Sequence, residues 1–206
     1  MAERARGEQT PTDSRVAGED WEGRTIGRED VFQRVLFVDC DFTEIENTGA
    51  TFTECVFRNV KFNASRHRDA AFVNCTFQHC NFFDTAFERC KAVGSTFDEC
   101  GWDIVKIDGG DWSFVTLVKA GLKSATLTGV RMREVDLTGA DASGATLRDL
   151  DLSGATLHGA DLSGADLRGS DLTALDPSTV TLTGAIITTV QAIVIAEALR
   201  LDVRPE

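Results

Sequence analysis

The stretch ADLSG at residues 160–164 is followed without a break by ADLRG at 165–169, one five-residue unit written twice. Stepping outward by fives from Leu162 and Leu167, the same phase holds from Phe32 to Ile187. Of the 32 positions on this walk, 27 carry Phe, Leu, Ile, Met or Trp, and the exceptions are Asn47, His67, Ala92, Ala142 and Pro177. Two residues before each large site lies a second series, from Val35 to Val190. It holds Ala, Cys, Val, Ile or Leu at 27 of its 32 positions. Two residues after the large site lies a third, which collects 11 of the 18 glycines. All six cysteines, at 40, 55, 75, 80, 90 and 100, fall in the second series. Metal ligands have no reason to obey a rule of five, so the cysteines read as reduced packing residues that point inward.

Neither regular element has this period. An α-helix would place successive fives about 140° apart and smear them round its surface. A single strand would send them to alternate faces. Five residues can instead form one short extended side and one corner, with the small and the large residue turned inward. Glycine then suits the corner, because it enters the turn without strain. Four sides close a square, which gives 20 residues per coil and about 8 coils for the 32 units. The expected fold class is all-β, a quadrilateral β-helix with a short C-terminal helix.

The 206 residues carry 33 acids and 21 bases, a net charge of −12, and 42% are hydrophobic. That is enough apolar material for a core. The acidity argues against direct binding of nucleic acid, which needs cations to replace phosphate counterions. No apolar run is long enough for a membrane span, and the first residues lack the apolar stretch of a secretory signal, so the reading is cytoplasmic. Three histidines and the absence of any Ser–His–Asp order or phosphate-cradling loop leave no catalytic, metal or cofactor site to assemble. His67, flanked by Arg66 and Arg68, reads as a satisfied polar residue in the core. The Thr-x-Thr triplets at 51–53, 126–128 and 181–183 fall on three different sides, so no flat ice-binding ladder forms.

The repeat identifies the chain as similar to the pentapeptide-repeat family, with signature (A/C)(D/N)(L/F)xx, across about residues 30–190. The resemblance implies a right-handed quadrilateral β-helix. Within that family, SRHRDAAFVNCTF at 65–77, FERCKAVGSTFDEC at 87–100, the LDP break at 175–177 and VQAIVIAEA at 190–198 resemble the fluoroquinolone-resistance branch. That likeness covers roughly residues 20–201. It implies a non-enzymatic, homodimeric DNA mimic that binds DNA gyrase, with topoisomerase IV as a second possible target. Plasmid-borne members carry projecting loops that break the repeat phase. This chain has no such insertion, so the resemblance does not extend to loop-dependent rescue of a drug-poisoned enzyme.

Folding the repeat at 20 residues per coil also sorts the charge. Side 1 is centred on Phe32, Phe52 and their successors, side 2 on Phe37, side 3 on Phe42 and side 4 on Asn47. Sides 2 and 3 carry 11 outward acids and 4 bases, net −7, whereas sides 1 and 4 carry 11 and 10, net −1. The candidate partner-binding edge is Asp39, Asp41, Glu44, Asp84, Asp98, Glu99, Asp103, Asp136, Asp141 and Asp161. Eight coils at about 4.8 Å span roughly 38 Å. A tail-to-tail dimer of about 75 Å would match some 20 base pairs. The alternative is a scaffold rod for another protein, whose acidity only aids solubility. Residues 1–20 read as a disordered polar tail, with Trp21 to Asp30 as an imperfect first coil, 21–188 as the β-helix and 189–206 as a capping and dimerising helix. The apolar residues Val190, Ile193, Val194, Ile195, Ala198 and Leu199 are the candidate dimer interface.

Overall fold

The computed structural model describes residues 10–204. Three-residue strands such as Thr51–Thr53, Thr76–Gln78 and Ala86–Glu88 form the sides, and each pairs in parallel with the strand one coil away. The register is the repeat itself: Phe52 lies opposite Phe72, Phe57 opposite Phe77, and Ile107 opposite Leu127. Each side exchanges hydrogen bonds with the coil on either hand. On side 3, for example, Lys61 N–H donates to Cys40 O and Phe62 N–H to Asn81 O. Strands too short to be stable alone therefore satisfy their backbone polar groups through stacking.

The corners fall on the third series, where the backbone enters the left-handed region. Gly159 has φ +71°, and Asp39, Glu44 and Glu99 have φ of 54°, 57° and 50°. Gly110 is a different case. It occupies a small inward site with φ +90°, and a Cβ there would lie 2.1 Å from Cys90 O.

The large residues fill the interior. Phe37, Phe57, Phe77 and Phe97 stack face to face along side 2 with centroids 5.0, 4.7 and 4.5 Å apart. Side 1 does the same through Phe32, Phe52 and Phe72 at 4.8 and 4.9 Å. Five cysteines are buried and Cys100 is half-buried, all with free thiols. Each donates weakly to backbone carbonyls, as Cys90 Sγ does to His67 O at 3.3 Å. Burial pushes the Cys90 thiol up to about 11.

The two polar exceptions sit one above the other. Asn47 Nδ2 lies 3.1 Å from His67 Nδ1, while Asn47 Oδ1 accepts from Ala50 N–H. Ser65 Oγ donates to Phe62 O and faces His67 Nε2 at 3.0 Å. The proton of the neutral ring therefore belongs on Nε2. Burial, followed by the charge of Arg66, lowers His67 to about 3.

Both ends differ from the sequence expectation. Residues 1–9 of the expected tail lie outside the described residues, but Ser14–Ala17 is a strand paired with Val35–Val38. Its offset is 21 residues, as for Thr25 opposite Glu46, whereas Val31 pairs with Thr51 at an offset of 20. One extra residue within Arg28–Asp30 shifts the phase, so Trp21 and Ile26 are inward although neither lies on the main walk. Before that strand, Thr10 Oγ1 reaches Thr76 Oγ1 at 3.1 Å, two coils beyond Arg34, whose carbonyl accepts from Asp13 N–H. Three extended residues cover about 10 Å, the height of two coils. Residues 10–13 therefore run along the rod over side 2, where Val38 and Val56 are buried despite outward positions in the repeat.

At the other end, side 1 holds seven rungs from Val31 to Asp151, so about seven coils rather than eight are complete on every side. The repeat breaks at Pro177. Side 2 closes there in a turn, Thr179 N–H to Asp176 O, instead of a rung. The C-terminal helix spans Thr189–Ala198, shorter than the expected 189–206. Thr188 and Gln191 form a reciprocal capping box, and the buried Gln191 amide donates to Leu167 O and Ser170 O. Among the described residues, no helix is long and apolar enough to cross a membrane.

A candidate acidic interface

Three repeat positions place the candidate carboxylates. Asp39, Glu44, Asp84 and Glu99 stand at corners with positive φ and project from the edges of the rod. Asp98 and Asp103 follow the inward Phe97 and Trp102. Asp41, Asp136, Asp141 and Asp161 precede an inward residue and join the bridges of their sides, with Asp141 directly opposite Asp161. None of the ten is buried, and Asp39, Glu44, Asp98, Glu99 and Asp103 are exposed.

Ion pairing runs in the same direction as formal charge, with six of the eleven acids paired on sides 1 and 4 and four of eleven on sides 2 and 3. On sides 1 and 4, arginines hold acids one coil away or in the same unit: Arg89 Nε–Asp69 2.8 Å, Arg68 Nε–Glu88 2.9 Å, Arg133 Nε–Asp151 2.6 Å and Arg168–Asp166 2.7 Å. The Arg168 contact holds the Asp166 carboxyl at about 2. On sides 2 and 3 only Asp41 with Lys61, Asp84 with Arg66, Glu99 with His79 and Asp141 with Lys123 are paired among the described residues. That leaves seven of the eleven acids, Asp39, Glu44, Asp98, Asp103, Asp136, Asp161 and Asp176, without an ion-pair partner within 4.0 Å. Arg66 belongs to side 4 and turns the corner to Asp84, a contact that sorting by side did not anticipate.

Hydrogen bonds from Ser143, then Lys123, hold the Asp141 carboxyl below its ordinary value, and hydrogen bonding from Ser163 does the same for Asp161. Asp136 accepts from Thr138 N–H at 2.9 Å. Each such turn engages one carboxylate oxygen, and the second oxygen of Asp141 pairs with Lys123 at 3.0 Å. The described residues contain no group of three or more His, Cys, Asp or Glu side chains arranged to hold a metal ion.

The candidate dimer residues divide. Val190, Ile193 and Leu199 are exposed, at 71%, 40% and 52%, and Ala198 is exposed with them. Val194 and Ile195 are instead partly buried against the last coil, because the Gln191 anchor turns that face inward.

A family model described as "Pentapeptide repeats" matches residues 117–149 and 136–173. With the five-residue register and the four parallel ladders, this makes the chain a pentapeptide-repeat protein. Several solved structures match the chain at low identity. QnrB1, a plasmid-mediated fluoroquinolone resistance protein, is 20% identical with a TM-score of 0.43, covering 90% of this chain and 99% of its own. HetL, a pentapeptide repeat protein involved in heterocyst differentiation regulation in the cyanobacterium Nostoc sp. strain PCC 7120, is 17% identical with a TM-score of 0.39, covering 87% and 90%. A pentapeptide repeat protein of the Arabidopsis thaliana thylakoid lumen is 16% identical with a TM-score of 0.24, covering 91% and 88%. No curated protein matches the chain in sequence.

Proposed function

We propose that this chain is a non-enzymatic DNA mimic, whose acidic sides 2 and 3 occupy the DNA-binding saddle of DNA gyrase, with topoisomerase IV as a second target. Its action would be cytoplasmic, would need no cofactor and would involve no direct contact with nucleic acid. The observation that carries the reading is the uneven charge of the perimeter: two adjacent sides hold 11 outward acids against 4 bases, while 10 bases nearly balance the 11 acids of the other two. Such an edge attracts a basic groove over long range and speeds encounter. The sequence likeness at 65–77, 87–100 and 190–198 points the same way. By occupying the saddle the protein would inhibit supercoiling and keep drug-stabilised cleavage complexes from forming, which confers resistance to quinolones or to a natural gyrase poison.

A second copy, joined through the C-terminal end, would double the rod. Exposed Val190, Ile193 and Leu199 supply an apolar surface of the kind such an end-to-end contact needs. Ile193→Lys combined with Leu199→Lys is expected to convert a dimer into a monomer in sedimentation at micromolar concentration. A wild-type chain that sediments as a monomer contradicts the doubled rod. The function itself is tested with purified gyrase: wild-type protein is expected to inhibit supercoiling, and increasingly weakly as salt rises. A gyrase indifferent to it leaves the scaffold-rod reading in its place.

A further inference from the structure

Side 3 carries an irregularity halfway along the rod that neither the fold nor charge mimicry requires. Phe83 and Ile104 are 49% and 43% exposed and lie on adjacent coils of this side. Ile104 stands at a corner with φ +52°. Positive φ is a true outlier for a β-branched side chain, and the position favours Gly, Asn or Asp. An exposed Ile there adds strain and contributes no burial to the core. Beside these residues, Gly101 and Gly121 occupy positions that carry Asp41, Lys61, Asn81, Asp141 and Asp161 in other coils. Neither glycine has a positive φ, and a Cβ at Gly121 would meet nothing within 4 Å. The backbone does not need them, and their effect is to leave the side flat next to two large apolar groups. Glycine used this way in a strand admits the close approach of another backbone.

The surroundings fix the chemistry of what approaches. In the repeat, Phe83 is stacked over Asp103 and Asp84 over Ile104, so apolar and acidic groups alternate as on a checkerboard. On sides 2 and 3 of this coil, Thr96 to Ile104 contains Asp98, Glu99 and Asp103 and no lysine or arginine, and on the adjacent coil Asp84 is paired with Arg66. We infer that this platform is an apolar hot spot within the acidic edge, and that it receives a protein segment pairing Lys or Arg with an apolar side chain. Resting on the proposed function, the occupant is a basic–apolar segment of the topoisomerase saddle. The contact separates the complex from pure phosphate imitation: charge sets the encounter rate, and the desolvated apolar pair sets the residence time.

The test uses the full-length chain and the variant Phe83→Ser/Ile104→Asn, whose Asn suits the corner and should leave unfolding by denaturant no worse. Binding kinetics to intact gyrase are expected to show at least a tenfold faster dissociation for the variant, with the salt dependence of association unchanged. Equal dissociation rates overturn the inference while leaving the proposed function standing. A second arm needs no gyrase. Wild-type protein should bind an alternating Lys/Leu peptide more tightly than a Lys/Ser peptide of equal charge, and the variant should lose that preference. If gyrase fails to bind but the preference is present and lost in the variant, the proposed function falls and the platform stands. A preference that is absent, or unchanged in the variant, overturns the platform.

Discussion

From Phe32 to Trp102 the large inward site is dominated by phenylalanine, and from Leu117 to Leu172 it is aliphatic throughout. The corners change at the same junction. The first half turns mostly on Asp, Glu, Asn and Arg, whereas the second turns mostly on glycine, as at Gly139, Gly144, Gly154 and Gly159. A non-glycine residue in the left-handed region costs roughly 1–2 kcal/mol. Stacked aromatic pairs contribute about 0.5–1.5 kcal/mol beyond their burial. The coil rise sets ring centroids at 4.5–5.0 Å along side 2, so Phe57 and Phe77 gain this term twice and Phe37 and Phe97 once. The aromatic half can therefore carry functional side chains at its corners, among them Asp39, Glu44, Asp84 and Glu99. The aliphatic half lacks that offset and turns on glycine more often, with Lys119, Glu134 and Asp149 among its exceptions.

The largest effect should separate inward from outward positions. Phe77→Ala or Phe82→Ala removes a fully buried ring and is expected to cost about 3–5 kcal/mol in denaturant unfolding. Phe83→Ala, half exposed beside Phe82, should cost well under 1 kcal/mol, within the usual range for surface changes. Equal losses at 82 and 83 would break the inward/outward assignment on which every side depends.

Next comes the polar interruption of the aromatic half. His67 is held near 3 in the fold against 6.5 when unfolded, so the unfolded chain binds the proton more tightly. The stability tied to the neutral ring is complete above pH 6.5 and declines as pH falls towards 3, by several kcal/mol in all. The double variant Asn47→Leu/His67→Phe, which also removes the amide that would be stranded, should abolish this part of the acid limb. An unchanged pH profile would mean that another group controls it.

Smaller effects belong to the aliphatic half. Ala142 stands where leucines stand one coil either way, and it lines an apolar void of about 20 Å³ together with Leu122, Leu147 and Leu162. Ala142→Leu should fill the void and stabilise by about 1 kcal/mol, as other cavity-filling changes do. Gly159→Ala should cost about as much. Its added Cβ would meet only ordinary contacts, nearest Gly139 Cα at 3.9 Å, so the loss reports the backbone alone. If a matching Asp149→Gly exchange gave no gain, the glycine preference of this half would need another cause.

Much of this was legible in the sequence because the repeat encodes register directly: a residue's number modulo 20 gives its side, and modulo 5 its direction. That arithmetic placed Phe82 inside, Phe83 outside and all ten candidate carboxylates off the core. It failed where the count slips. One extra residue within Arg28–Asp30 hid the coil containing Val16, Trp21 and Ile26, and the repeat breaks at Pro177 in the last coil. It also could not foresee side chains that cross a corner, such as Arg66 to Asp84, or a segment running along the axis, such as Thr10 to Thr76. Periodicity describes rungs and is silent on contacts between them. The helix was legible as apolar on several sides, but the Gln191 anchor that turns Val194 and Ile195 inward depends on carbonyls of Leu167 and Ser170 more than 20 residues away.

The most direct measurement compares two charge-reversed proteins in gyrase supercoiling. One carries Glu44, Asp98, Glu99 and Asp103 changed to Lys, all on sides 2 and 3. The other carries Glu54, Asp108, Glu134 and Asp149 changed to Lys, all on sides 1 and 4. The second set has no ion-pair partners to strand and changes the formal charge by the same amount. Both should remain folded, since every position points outward. The account predicts that inhibition is lost in the first protein and retained in the second, and equal inhibition by the two would contradict it.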